Sequence, residues 1–459
     1  MKNFALQGPF YFIGVAGAGM SAIAQYLALS GETVGGSDRR FGQDAPDEDQ
    51  LKLEKMNIEC LAQDGSAISN QFKTVVISTA IEESNPDLIK ARELGIEVLH
   101  RSDLLSAIAD SKKSICFSGT SGKSTTTAMC YHILKTCGLS PSLLTGAGIQ
   151  DLIAQGLIGN ADVGTGEYLL MEADESDGSL VKYHPHIGVM LNLDRDHKEL
   201  DELEPLFSQF RAQTKSTWIV NSGLKRTRRF SENQRNDFGS DKNCGFTISE
   251  FKSQGFISHF KVAGIEVKLP LPGLHNAENA TAAMAAAYFA GVSLTDAASA
   301  LETYPGIYRR MQMICVHDEI QLIDDFAHNP AKIFAAIEAG QTLSARVIAF
   351  FQPHGFAPTA FMKDELLEGL IELMRPKDSL YFSDIYYAGG TANKSIHASE
   401  LAQGLETMPG SAHYMENRLA CAQDMVDKSQ KGDLILLMGA RDPTLEQFAQ
   451  EVKMLLIAK

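Results

Sequence analysis

One ten-residue stretch constrains this chain more than any other: Ser118-Gly119-Thr120-Ser121-Gly122-Lys123-Ser124-Thr125-Thr126-Thr127. The apolar run Ser114–Ser118 leading into it reads as a strand, and the residues after it read as a helix. Glycines at such a turn let backbone N–H groups face phosphate oxygens, and the positive end of the following helix adds to the field. Lys123 then meets the β- and γ-phosphates, and Ser124 offers its hydroxyl to magnesium. Gly119 and Gly122 are three apart, a shorter spacing than the five of the commoner GxxxxGKS loop, which argues against a generic P-loop kinase or GTPase. An ATP-binding α/β domain is expected, with Gly119, Thr120, Ser121, Gly122, Lys123, Ser124 and Thr125 around the phosphates.

Magnesium needs further ligands, and two candidates follow strands in the same region. Glu172 opens Glu-Ala-Asp-Glu-Ser-Asp at the end of the strand-like run Tyr168–Glu172, and His197 closes Asn-Leu-Asp-Arg-Asp-His after another apolar run. Ligands of α/β sheets bind outside the carboxyl ends of strands. The competing readings are a solvated acidic turn for the first and a structural or surface histidine for the second. Beside a phosphate loop both read as metal ligands.

At 459 residues the chain exceeds one ordinary core and suggests about three domains. Apolar runs alternate with helical stretches from end to end: Phe10–Gly14, Thr33–Gly36, Thr74–Ser78 and Glu97–Leu99 first; then His186–Leu193 and Ser216–Asn221 with a helix over Asn276–Ala290; then Gln321–Asp325, Arg346–Phe351, Ser379–Asp384 and Asp433–Met438. The alternation predicts parallel βα units in an α/β chain divided at residues 1–112, 113–312 and 313–459. The polar stretch Arg226–Asn243 reads as a surface excursion. A net charge of -16 disfavours nucleic acid as a partner. Seven scattered cysteines without a CxxC pair point to a reducing, cytoplasmic compartment without structural zinc, and Cys130 and Cys137 read as core residues of one helix. The glycines within Pro9–Leu29 suit strand, turn and helix rather than a signal peptide or membrane insertion.

The amino-terminal turn has two readings. Gly17-Ala18-Gly19-Met20-Ser21-Ala22 fits GxGxxA after a strand, and Asp38 follows 21 residues after Gly17, as in a dinucleotide fingerprint. By itself this predicts an NAD(P)-dependent oxidoreductase.

Several ordered motifs together resemble the Mur ligase family, the ATP-dependent amide ligases of peptidoglycan assembly, and most closely its UDP-N-acetylmuramate branch. They are Gly-Val-Ala-Gly-Ala-Gly-Met-Ser at 14–21, Ser-Thr-Ala-Ile at 78–81 with Asn85-Pro86, the phosphate loop, Glu-Ala-Asp-Glu-Ser-Asp, Asp196-His197, and Pro-Gly-Leu-His-Asn-Ala-Glu-Asn-Ala at 272–280. Arg309-Arg310, Asp-Asp-Phe-Ala-His-Asn-Pro at 324–330 and Phe-Gln-Pro-His at 351–354 complete the set. The resemblance implies a Rossmann-like UDP-binding domain, a central P-loop ATPase domain and a Rossmann-like carboxy-terminal domain for the amine substrate. It assigns the first glycine turn to the diphosphate of a UDP-sugar, with Gly14, Ala16, Gly17, Ala18, Gly19, Met20, Ser37, Asp38, Ser78, Ala80 and Ile81 around it. It further implies two magnesium ions, one on Ser124 and Glu172 and one on His197; His275, Asn276 and Asn279 near adenine; Asp325 near the ribose, with His328 beside it; and Arg310, or Arg309, at the transferring phosphate. In some relatives a carbamylated lysine assists the second metal, and Lys215 is the residue considered for it here.

The amine partner is read from a departure. Enzymes of this branch that add L-alanine place arginines just after Phe-Gln-Pro-His, whereas this chain continues Gly355-Phe356-Ala357-Pro358-Thr359. Losing guanidinium clamps weakens recognition of a small amino acid. The expectation is therefore a tripeptide acceptor, L-Ala-γ-D-Glu-meso-diaminopimelate, as in murein recycling, with L-alanine as the alternative. His354, Gly355 and Arg441 are the acceptor residues under either reading. Ser-Asp-Ile-Tyr-Tyr-Ala-Gly at 383–389 and Met-Gly-Ala-Arg-Asp at 438–442 still resemble the alanine-adding branch. Ser121, where that branch commonly has histidine, is a second departure.

Overall fold

The structure is a computed structural model describing residues 8–42, 48–175, 178–193, 200–387 and 396–459. Two compact units emerge, one of Met1–Lys252 with Ile257–Ile307, the other of Ser253–Phe256 with Tyr308–Lys459.

The first unit carries three sheets. β1 (Phe10–Ile13), β2 (Val34–Asp38), β3 (Ile58–Ala62), β4 (Thr74–Ile77) and β5 (Glu97–His100) form a parallel sheet in the order β3-β2-β1-β4-β5. The second comprises β6 (Lys113–Ser118), β7 (Ser142–Leu144), β8 (Ala161–Asp162), β9 (Tyr168–Ala173), β10 (Ile187–Met190) and β11 (Thr217–Val220), in the order β11-β10-β6-β9-β7-β8. Only β8 runs antiparallel there. The third is a small sheet of β12 (Phe238–Gly239), β13 (Phe246–Gln254), β14 (Ile257–Val262) and β15 (Ile265–Leu269).

The second unit has one sheet of β16 (Gln312–His317), β17 (Ile320–Asp325), β18 (Val347–Phe351), β19 (Ser379–Phe382), β20 (Ser411–Tyr414) and β21 (Leu434–Met438), ordered β16-β17-β21-β18-β19-β20 with β16 antiparallel. Every residue of β18 and of β21 is buried. Continuous apolar runs such as Val-Ile-Ala-Phe-Phe and Leu-Ile-Leu-Leu-Met are what a parallel sheet covered on both faces demands.

Each long apolar run named from the sequence is a strand. The predicted helix is present as Leu274–Phe289, whose Ala-rich stretch Ala280–Ala287 is wholly buried against the helix Lys123–Thr136. A helix apolar on all sides belongs in a core. Two expectations change. The third sheet and the short strands β3, β7, β8, β16 and β20 were not foreseen, because their alternating or brief patterns lack a continuous apolar signal. The stretch Arg226–Asn243 is not simply a surface excursion. Thr227, Phe230 and Asp237 are buried in it, and Trp218 Nε1 donates to Phe230 O at 2.9 Å. Its polar composition hides these anchors.

All seven cysteines are free; Cys130 is fully buried and Cys137 half-buried. Among the described residues no helix is long and apolar enough to cross a membrane.

Candidate active site

The phosphate loop leaves the carboxyl end of β6, with β9 and β10 on either side. Ser118, just before the first glycine of the loop, is buried and donates its hydroxyl to Val189 O at 2.8 Å. A side chain there ties the loop to β10. Gly122 has φ +79° and caps the helix Lys123–Thr136; a Cβ on it would lie 2.5 Å from Asn279 Oδ1. Backbone conformation and space both require glycine there. The same contact puts Asn279, from the helix Leu274–Phe289, directly over the loop.

Two residues within the motifs named above, Asn192 and Glu175, contact the loop in ways the sequence does not assign, and Thr145 does the same at Glu172. Asn192, just after β10, accepts from Ser121 N at 2.9 Å and Thr120 Oγ1 at 3.0 Å and donates to Ser121 O at 3.0 Å. Glu175 lies 2.9 Å from Lys123 Nζ, which also donates to Gly119 O at 2.7 Å and stands 3.8 Å from Asp174. Burial raises the Glu175 carboxyl, opposed by Lys123. Thr145 donates to Glu172 Oε1 at 2.5 Å, and Gly146 N to the same oxygen at 2.7 Å. A residue's neighbours across a sheet carry no spacing signal along the chain.

Glu172 Oε2 accepts from Ser124 Oγ at 2.8 Å. A carboxylate and a hydroxyl converging beside a phosphate loop form a hard oxygen donor set, which suits magnesium. His197 lies outside the described residues, as do Asp196, Ser176 and Asp177. Lys215 precedes β11, at the sheet edge opposite the phosphate loop, and pairs with Asp110 at 2.7 Å. That position lies at the other end of the sheet from Ser124 and Glu172. Asn276 is buried and donates to Pro272 O at 2.7 Å, and the His275 ring stands against Gly273.

In the first sheet the glycine turn follows β1. Gly14 N and Val15 N donate to Ser37 O, and Ala16 N donates to Asp38 Oδ2 at 3.2 Å. Ser78, Ala80 and Ile81 follow β4, next to β1, and Ile81 Cδ1 would be 3.4 Å from a Cβ on Gly14. The helix Ala18–Leu29 starts without a side-chain cap. Arg101, overlooked in the sequence, lies so close that its Nη1 would be 2.3 Å from a Cβ on Gly19. A guanidinium beside an uncapped helix start makes the turn favourable for anions.

In the second unit the two arginines separate. Arg309 is buried and binds Asp324 through two nitrogens, at 2.7 and 3.1 Å, and Gly439 O at 2.9 Å. Arg310 is half-buried, beside the Phe326 ring. Asp325 uses one oxygen for Met311 N and the other for Ala327 N, shaping the turn after β17. His328 Nδ1 donates to Phe326 O at 2.8 Å, which leaves Nε2 as an acceptor. The His328 and His354 rings are 5.8 Å apart. Burial, the neighbouring His328 and Arg441 push His354 down to about 4. His354, Gly355 and Arg441 thus follow the adjacent strands β18 and β21, where the resemblance places the acceptor.

Three family models match this chain in order: Mur ligase family, catalytic domain, over residues 9–113; Mur ligase middle domain over 117–287; and Mur ligase, glutamate ligase domain, over 309–441. This chain belongs to the Mur ligase family. It is accordingly an ATP-dependent ligase that forms a C–N bond, and the oxidoreductase reading of the first turn falls away. A UDP-N-acetylmuramate–L-alanine ligase of Syntrophomonas wolfei is 32% identical over 453 residues, covering 94% of both chains. One of Streptomyces coelicolor is 34% identical over 456 residues, covering 95% of both. Among solved structures, the UDP-N-acetylmuramate–alanine ligase of Thermotoga maritima matches with a TM-score of 0.78 at 22% identity, covering 98% of this chain and 99% of the other. A murein peptide ligase of Psychrobacter arcticus matches at 0.64 and 22%, covering 97% and 98%. These two likenesses establish the three-domain Mur ligase fold.

Proposed function

We propose that this enzyme joins L-alanine to the lactyl carboxylate of UDP-N-acetylmuramate. The observation that carries the ligase chemistry is the pairing of Glu172 with Ser124, the residue after Lys123 in the phosphate loop. Magnesium held by Ser124 and Glu172 would supply charge neutralisation for phosphoryl transfer, and a second ion on His197 is part of the same reading. The glycine turn at 14–20, with Ser37, Asp38, Ser78, Ala80, Ile81 and Arg101 around it, is assigned to the UDP-sugar.

The reaction proceeds in two steps. A carboxylate oxygen attacks the γ-phosphorus of ATP, the bond to the β-phosphate oxygen breaks, and an acyl phosphate and ADP form. The amine then attacks the acyl carbon, loses a proton and expels phosphate. Phosphorylation is needed because an amine does not displace oxide from a carboxylate. Lys123 and Arg310 stabilise the charge on the transferring group, a role Arg309 cannot share because Asp324 holds it. Asn279, with His275 and Asn276, is assigned to adenine, and Asp325 with His328 to the ribose side.

The tripeptide expected from the residues after His354 gives way to L-alanine. Curated relatives matching 94–95% of this chain are named for L-alanine, at 32 and 34% identity. Arg441, unlike the residues at 355–359, supplies a guanidinium whose charge reaches His354, and we assign it to the amino acid carboxylate. Phosphate release with ATP, magnesium and UDP-N-acetylmuramate, comparing L-alanine with the tripeptide, tests the assignment. Faster turnover with L-alanine is expected, and faster turnover with the tripeptide would restore the recycling reading.

A further inference from the structure

A continuous run of hydrogen bonds leads from the glycine turn of the first sheet to the carboxylate beside the phosphate loop, and Asn160 is its middle link. Asn160 Nδ2 donates to Ala18 O at 2.9 Å and to Ser21 Oγ at 3.0 Å, both in the first turn of the helix Ala18–Leu29. Its Oδ1 accepts from Gln25 Nε2 at 2.7 Å, and that nitrogen also donates to Ser21 O at 2.9 Å. On the other side, Asn160 O accepts from Thr145 N at 3.0 Å. Thr145 Oγ1 donates to Glu172 Oε1 at 2.5 Å, and Glu172 Oε2 accepts from Ser124 Oγ at 2.8 Å. Both ends of the run are substrate-facing in the reading above.

Apolar contacts would hold two sheets together without choosing among nearby registers. A buried amide whose donors and acceptor are all used chooses one, because any slip leaves a polar group unpaired away from water. Asn160 is 3% exposed and Gln25 0%. Asn160 also directly precedes β8, which joins through β7 to β9, the strand that bears Glu172. Rigid strands separate it from the metal residues.

We infer that Asn160 is a positioning residue for phosphoryl transfer: it sets the distance between the turn that holds the UDP-sugar and the Ser124–Glu172 pair that serves ATP. This rests on the ligase reading above. A carboxylate oxygen reacts with the γ-phosphorus only from a near-attack position, and a misplacement of about 1 Å costs on the order of 100-fold in rate. Losing Asn160 therefore slows the chemical step and spares the binding of each substrate taken alone.

The test uses the full-length enzyme with Asn160→Ala and the milder Ser21→Ala, which removes only the hydroxyl partner. Binding of UDP-N-acetylmuramate alone and of a non-hydrolysable ATP analogue with magnesium alone is measured by calorimetry, and kcat by phosphate release. The expected result is kcat reduced about 10- to 100-fold in Asn160→Ala and about 3- to 10-fold in Ser21→Ala, with both dissociation constants within about threefold of wild type. Should Asn160→Ala fail to fold, Ser21→Ala decides. Wild-type kcat in the variant that decides, or a loss that merely tracks weakened binding and a lowered melting temperature, would overturn the inference. A wild-type enzyme that releases no phosphate with UDP-N-acetylmuramate and any amine would instead overturn the ligase reading.

Discussion

Ser124 Oγ and Glu172 Oε2 stand 2.8 Å apart, although 48 residues separate them along the chain. Thr145 and Gly146 N hold the other Glu172 oxygen, so the carboxylate presents one fixed edge to the loop. Glu172→Gln keeps the shape and removes the charge. It is expected to lower kcat by about 100-fold and to raise the magnesium concentration needed for half-maximal rate. A magnesium titration of phosphate release checks both; an unchanged magnesium dependence would contradict the assignment.

Asn192 clamps Ser121 from both main-chain sides. Asn192→Ala frees the loop and leaves the UDP-sugar turn untouched. KM for ATP should rise about 10-fold while KM for UDP-N-acetylmuramate stays within about twofold, since roughly 1.4 kcal/mol, the worth of one or two such bonds, is tenfold in affinity. Steady-state kinetics with each substrate varied in turn distinguishes the two.

Neighbouring arginines should fail in different ways. Arg309→Ala strands Asp324 as an unpaired buried charge, for which about 3–5 kcal/mol of lost stability is expected. Arg310→Ala should unfold at nearly the wild-type denaturant midpoint and lose about 10- to 1000-fold in kcat. Denaturation curves and turnover for both variants make the comparison, and equal stabilities would refute it.

Asp237 makes folding pH-dependent. Burial pushes its carboxyl up to about 6, while Ser231 and Val220 N hold it in place. In the unfolded chain it titrates near 3.9. The folded state therefore binds the proton more tightly, so this contribution is fully present below about pH 4 and is lost as pH rises through about 6, on the order of 3 kcal/mol. Asp237→Asn, which can keep both partners, should flatten stability across that window. Chemical denaturation at pH 4, 5, 6 and 7 measures the slope.

His354 works in the opposite sense. Its folded value of about 4 lies below the unfolded 6.5, so stability is present above pH 6.5 and is lost as pH falls toward 4. His354→Asn should remove that decline from the second unit, read by fluorescence-detected unfolding between pH 4 and 7.

The amino-acid order by itself determined the local parts of this protein. Glycines at 119 and 122 followed by Lys123-Ser124, apolar runs long enough to be buried on both faces, and a helix of alanines are patterns set by neighbours a few residues apart. These were legible, and so was the family, because several such patterns recur in one order. Tertiary structure alone decided the rest. Which of Arg309 and Arg310 remains available depends on Asp324 lying opposite the first; Lys215 falls at the end of the sheet away from Ser124 and Glu172 because it precedes a strand that runs parallel to those at whose carboxyl ends the two residues stand. Asn192, Glu175, Arg101 and Asn160 gained their roles from partners 71, 52, 82 and 142 residues away, where hydrogen bonds and close contacts leave no periodicity to read.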